Sequence, residues 1–116
     1  MSTWRLAPVL LVFIALVACE SGGQRSLRAG MLRNDIGQKA FRTEWGEPDR
    51  TMPVLSTQDL ARRWGQDVSL LQNAKEVPEL WIYDRFGVEL VFVDGDLIAW
   101  KTNKTPEELR AIPAKP

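Results

Sequence analysis

The chain has no histidine and only one cysteine among its 116 residues. Without an imidazole it lacks the usual general base at neutral pH and the commonest metal ligand, and a lone thiol cannot close a disulfide within the chain. Excess charge is missing too. Lys and Arg number 15 and so do Asp and Glu, which leaves no basic footprint for nucleic acid. We therefore expect no metal, no cofactor and no nucleic-acid partner. No uncharged run approaches the roughly 20 residues that a membrane-spanning helix requires. Catalysis by carboxylates survives these subtractions, because two acidic side chains in one cleft can divide acid and base roles when their environments split their pKa values. Residue order alone does not reveal such a cleft.

With 45% hydrophobic and 26% charged residues, the composition is that of a folded protein, and the length suits one domain. The N-terminus stands apart. Residues 1–5 are polar and carry one charge, Arg5, while residues 6–18 carry none. That is the n-region and h-region of a secretory signal. It closes on Leu16-Val17-Ala18-Cys19, which resembles the lipobox of bacterial lipoproteins. The resemblance implies cleavage between Ala18 and Cys19, diacylglycerol on the Cys19 sulfur and an acylated new amino terminus. Two or more acyl chains give stable anchoring at about 0.8 kcal/mol per buried CH₂. Cys19 is then an attachment point, and the catalytic roster is empty. In Gram-negative members of that class the next residue sorts between membranes, with Asp as the inner-membrane retention signal. Glu20 fits that signal poorly, so the implied address is the outer membrane, facing the periplasm.

Ser21-Gly22-Gly23-Gln24 reads as a spacer, and the expected division is a signal at 1–18, a flexible tether at 19–25 and one domain at 26–116. From Ser26 the pattern turns helical through Leu27, Met31, Leu32 and Ile36. A second helix spans residues 38–45, with Phe41 and Trp45 one turn apart, and stops at Gly46 with Pro48 beyond. Ser56, three residues before Asp59, caps a third short helix carrying Leu60 and Trp64. Residues 67–77 fit either a strand or a helical turn.

The last third reads as β-structure. Residues 80–83, 88–93 and 97–101 are rich in β-branched and aromatic side chains. Asp94-Gly95 is a type I′ hairpin signal, pairing Phe92 with Leu97 and Leu90 with Ala99. A turn at Phe86-Gly87 sets Trp81 opposite Phe92 and Tyr83 opposite Leu90. One sheet face then holds Trp81, Tyr83, Leu90, Phe92, Leu97 and Ala99. The other holds Ile82, Glu89, Val91, Ile98 and Trp100, too apolar to stand in water, so helices of the chain, a partner or the bilayer should cover it. Thr105-Pro106-Glu107-Glu108 opens a final short helix with a capping box.

Phe41-x-x-x-Trp45-Gly46-x-Pro48-Asp49, Trp81-x-Tyr83 and Leu90-x-Phe92-x-Asp94-Gly95-x-Leu97 together resemble the SmpA/OmlA type of small envelope lipoprotein, which includes the E subunit of the β-barrel assembly machine. The resemblance covers residues 31–101. It implies an α+β fold, two short N-terminal helices packed on a three-stranded antiparallel meander with a short C-terminal helix, and an accessory scaffolding role at an outer-membrane complex. Gly46, Pro48, Tyr83, Phe92 and Gly95 match structural positions of that family.

Four tryptophans follow the cleavage point. Trp45 and Trp81 fall on core faces, whereas Arg62, Arg63, Trp64 and Trp100 form the candidate surface for an envelope partner or the membrane. The function expected is a membrane-anchored, non-enzymatic protein-interaction module. Its alternatives are an inhibitor inserting residues 56–77 into an envelope hydrolase and a carboxylate enzyme acting on envelope glycans.

Overall fold

The computed structural model describes residues 22–112. Ala18, Cys19 and Glu20 lie outside the described residues, as do the last four residues of the chain. The elements run α1 (Gly22–Arg28), α2 (Gln38–Trp45), β1 (Arg50–Pro53), α3 (Thr57–Trp64), a 3-10 turn (Ser69–Asn73), β2 (Glu79–Tyr83), β3 (Val88–Val93), β4 (Asp96–Thr102) and α4 (Pro106–Ala111). The class is α+β. The antiparallel sheet has four strands in the order β1-β2-β3-β4, one more than the three expected.

The extra strand is β1, Arg-Thr-Met-Pro, which shows no alternation and is exposed at all four positions. It was illegible because it is an edge strand, recruited by its pairing with β2 rather than by any side-chain pattern of its own. The 19–25 tether also needs correction, since helix is already present at Gly22. That helix stops early. The Met31 N–H donates to the Ser26 carbonyl and the Gly30 N–H to the Leu27 carbonyl, the paired bonds of a Schellman stop with Gly30 at φ 77°. The turn also lets α4 close in, because a Cβ on Gly30 would run into the Pro106 carbonyl oxygen.

Strand pairing departs from expectation in two ways with opposite consequences. Between β2 and β3 the loop is residues 84–87, so Trp81 faces Leu90 and Tyr83 faces Val88. This is a slip of two residues, and an even slip preserves faces. Between β3 and β4 the Asp94-Gly95 turn forms as expected, with φ of 55° and 84°, and Phe92 pairs with Leu97. Beyond it a bulge makes Ile98 the extra residue, so Leu90 faces Trp100 and Val91 faces Ala99. An odd slip exchanges faces. Trp100 packs with the main core and Ala99 with the opposite layer, the reverse of the sequence expectation.

Helices α1, α2 and α4 cover the face carrying Trp81, Tyr83, Leu90, Phe92 and Leu97. Aromatic rings interlock there edge to face: Phe41 lies 5.0 Å from Trp45 and 5.5 Å from Phe92, and Trp45 lies 5.4 Å from Tyr83. Such pairs add about 0.5–1.5 kcal/mol each beyond burial. The opposite face, with Leu80, Ile82 and Val91, is covered by α3 and the 3-10 turn through Leu60, Trp64, Val68 and Leu71. The chain's own helix therefore shields the sheet face that looked too apolar for water. α3 begins where expected, Ser56 Oγ accepting the Asp59 N–H at 3.3 Å, and α4 begins in a full capping box between Thr105 and Glu108.

Candidate functional site

The four residues singled out as a contact surface do not assemble into one. Trp64 is 2% exposed and faces the sheet, so its expected surface role is corrected. Its indole N–H donates to Glu89 Oε1 at 2.9 Å, and the Arg63 guanidinium donates to both Glu89 oxygens at 2.8 and 2.9 Å. From β4, Lys101 Nζ donates to the Trp64 carbonyl at 2.7 Å, placing a cation at the C-terminal end of α3. Arg62 pairs with Asp59, one turn back on its own exposed face. Trp100 is half-buried against the main core, on the other side of the sheet. Arg63, Trp64 and Lys101 instead fasten α3 to the sheet.

A second clamp is built from Tyr83 and Arg85. Tyr83 Oη donates to the Gly46 carbonyl at 2.8 Å, the Arg85 N–H donates to Asp49 at 3.0 Å, and Arg85 Nη2 donates to the Glu47 carbonyl at 2.6 Å. Burial first, then the nearby Glu47 charge, pushes the Tyr83 hydroxyl well above its ordinary pKa. That keeps it a neutral donor. This clamp binds the end of α2 to the β2–β3 turn.

Carboxylate chemistry finds little support in the geometry. Asp84 and Glu89 line one cleft of about 420 Å³ with Lys101 and Asn103, yet Arg50 donates to both oxygens of Asp84 and Arg63 to both of Glu89. The hydrogen bond from Arg63 holds Glu89 below the usual carboxylate range, against a smaller opposing effect of burial. Asp49 is lowered by the Arg85 backbone N–H, and Glu108 by the Thr105 backbone N–H. A general acid at neutral pH needs the opposite shift. Within residues 56–77, the stretch expected to insert into a hydrolase, Thr57–Trp64 form α3 and Ser69–Asn73 the 3-10 turn, with Leu60, Trp64, Val68 and Leu71 buried and Leu70 and Val77 exposed.

The surface best suited to a partner lies elsewhere, around β1. Two hollows, of about 520 and 260 Å³, share Val54, Leu55 and Ser56 as a common wall. Exposed apolar side chains rim them: Leu55 at 83%, Val77 at 60% and Met52 at 37%. Leu55 is the most telling. It directly precedes the Ser56 cap, where an apolar side chain ordinarily staples onto the fourth helical residue, here Leu60. At that exposure Leu55 makes no such staple. Sequence reasoning passed over this surface because a single leucine between Pro53 and Ser56 carries no periodic signal; its position before a capping serine was the one available clue.

No family model, curated protein or solved structure matches this chain.

Proposed function

We propose that this chain is a lipid-anchored envelope lipoprotein whose α+β domain works as a non-enzymatic protein-interaction module, facing the periplasm from the outer membrane. The observation that carries the reading is Leu16-Val17-Ala18-Cys19 at the end of a charge-free run that begins just after Arg5. Support for the interaction role comes from the apolar rim at Met52, Leu55 and Val77, since exposed apolar groups beside polar rims mark contact sites. A role of the SmpA/OmlA kind, accessory to an outer-membrane assembly complex, is consistent with the motif residues around Trp45-Gly46 and Asp94-Gly95.

Metabolic labelling with a fatty acid tests the anchor. Label should enter the wild type and be absent from Cys19→Ser; equal label in both overturns the reading. For the partner, Leu55→Asp should lose an envelope protein that co-purifies stoichiometrically with the wild type from gently solubilised membranes.

A further inference from the structure

The acyl chains of a lipoprotein fix where its chain meets the bilayer, and the distance from there to the first folded element decides whether the domain swings or lies still. Resting on the lipid-anchor reading, we propose that the α1 side of this domain lies against an anionic phospholipid surface, so that the Leu55 rim is turned away from the membrane.

The length of the link carries the first half of the argument. Helix is present from Gly22, so only Glu20 and Ser21 separate it from the lipidated Cys19. Three Cα–Cα steps of about 3.8 Å limit that gap to about 11 Å. Gly22, the start of α1, is therefore held within about a helix diameter of the lipidated residue.

Charge carries the second half. Arg25, Arg28 and Arg33 precede the first carboxylate of the described residues, Asp35. Arg25 and Arg33 are exposed, while Arg28 is engaged with Glu44. The whole chain is balanced at 15 charges of each sign, so the remainder is net acidic and an anionic surface repels it. Such a surface draws basic residues next to an anchor and thereby orients the molecule. The described acids near this side are Glu44, paired with Arg28, Asp35, and Glu107 and Glu108 on α4, with Glu108 occupied in the capping box, while Arg110 of α4 adds a further cation beside Gly30. Met31 completes the face. It is 54% exposed, yet its backbone is pinned, the N–H to the Ser26 carbonyl at 2.9 Å and the carbonyl by the Ser26 hydroxyl at 2.8 Å. An exposed apolar side chain on a pinned backbone, between Arg28 and Arg33 in the chain, suits the headgroup layer.

Leu55 belongs to the other side of the sheet. It adjoins α3 and the second core cluster, whereas α1 packs into the first. Membrane contact at α1 therefore leaves the Leu55 rim open to a partner.

The lone cysteine makes the test clean, because acylation consumes it and any introduced cysteine becomes the sole free thiol. Met31→Cys and Leu55→Cys, both at exposed positions, would be produced as full lipidated chains, labelled with bimane and reconstituted into phosphatidylethanolamine–phosphatidylglycerol vesicles holding a headgroup spin-labelled lipid. Quenching should be severalfold greater at position 31 than at 55. It should fall at 31 when Arg25→Glu and Arg33→Glu are added, and when salt is raised. Equal quenching at both positions, or quenching at 31 indifferent to charge reversal, overturns the proposal. Intact mass on the same sample separates the two failures: an acylated chain with equal quenching sinks the orientation alone, and an unacylated chain sinks the anchor reading with it.

Discussion

The two layers that sandwich the sheet are built on different principles. Under α1, α2 and α4 the contacts are aromatic and continuous, with Phe41, Trp45, Trp81, Tyr83 and Phe92 touching ring to ring. Under α3 the filling is mostly aliphatic, and its one large ring, Trp64, is oriented by a polar staple to Glu89. An interlocked aromatic layer fails as a unit. A layer held by fewer apolar contacts and a salt-bridged carboxylate opens at lower free energy, and binding surfaces are drawn from such regions. The apolar rim lies on this second layer.

The largest expected effect is in the first layer. Trp81 is fully buried, and Trp81→Ala should lower global stability by about 3–5 kcal/mol in denaturant unfolding, the range for emptying an aromatic core site. A loss no larger than that of an exposed residue would mean that this layer is not the foundation of the fold. Next comes the α1–α4 junction. Gly30→Ala puts a Cβ at positive φ and against Pro106, and should cost about 1–3 kcal/mol in the same assay.

The staple should cost less and bear a pH signature. Because hydrogen bonding to Arg63 sets the folded pKa of Glu89 below its ordinary 4.5, the folded state binds fewer protons there than the unfolded chain. Its stabilisation is therefore present above that ordinary value and lost as pH falls through the folded one. Glu89→Gln should remove about 1 kcal/mol at neutral pH, less than a buried charged hydrogen bond contributes, because Arg63 is partly exposed and solvent screens the pair. It should also flatten the acid limb of the thermal-denaturation profile, and an unchanged limb would break the contrast between the layers. Smallest of all is Leu55→Ser, expected within about 0.5 kcal/mol of wild type. Its effect should appear in partner recovery instead.

What could be read in advance was chemistry that acts locally. Ser56 caps through its own hydroxyl, Thr105 and Glu108 close a box within four residues, and Asp94-Gly95 adopts two positive φ values that few other pairs accept. These need no tertiary partner. The edge strand β1 exists because β2 lies beside it, and the extra residue Ile98 sends Trp100 to the aromatic core and Ala99 to the layer under α3. Neither preference is written in the neighbouring residues. Arg63 and Trp64 were misjudged for the same reason: a basic pair beside an indole looks like a contact surface until Glu89, 25 residues from Trp64 along the chain, is placed beneath it.

The proposed anchor and the proposed orientation of the two layers both depend on one covalent event, acylation of Cys19. Intact-mass analysis of the protein purified from native envelope measures it directly. The expected species begins at Cys19, lacks residues 1–18 and carries the mass of a diacylglycerol plus an amide-linked acyl chain. A chain retaining Met1, or one cut elsewhere with a free Cys19 thiol, would contradict the account.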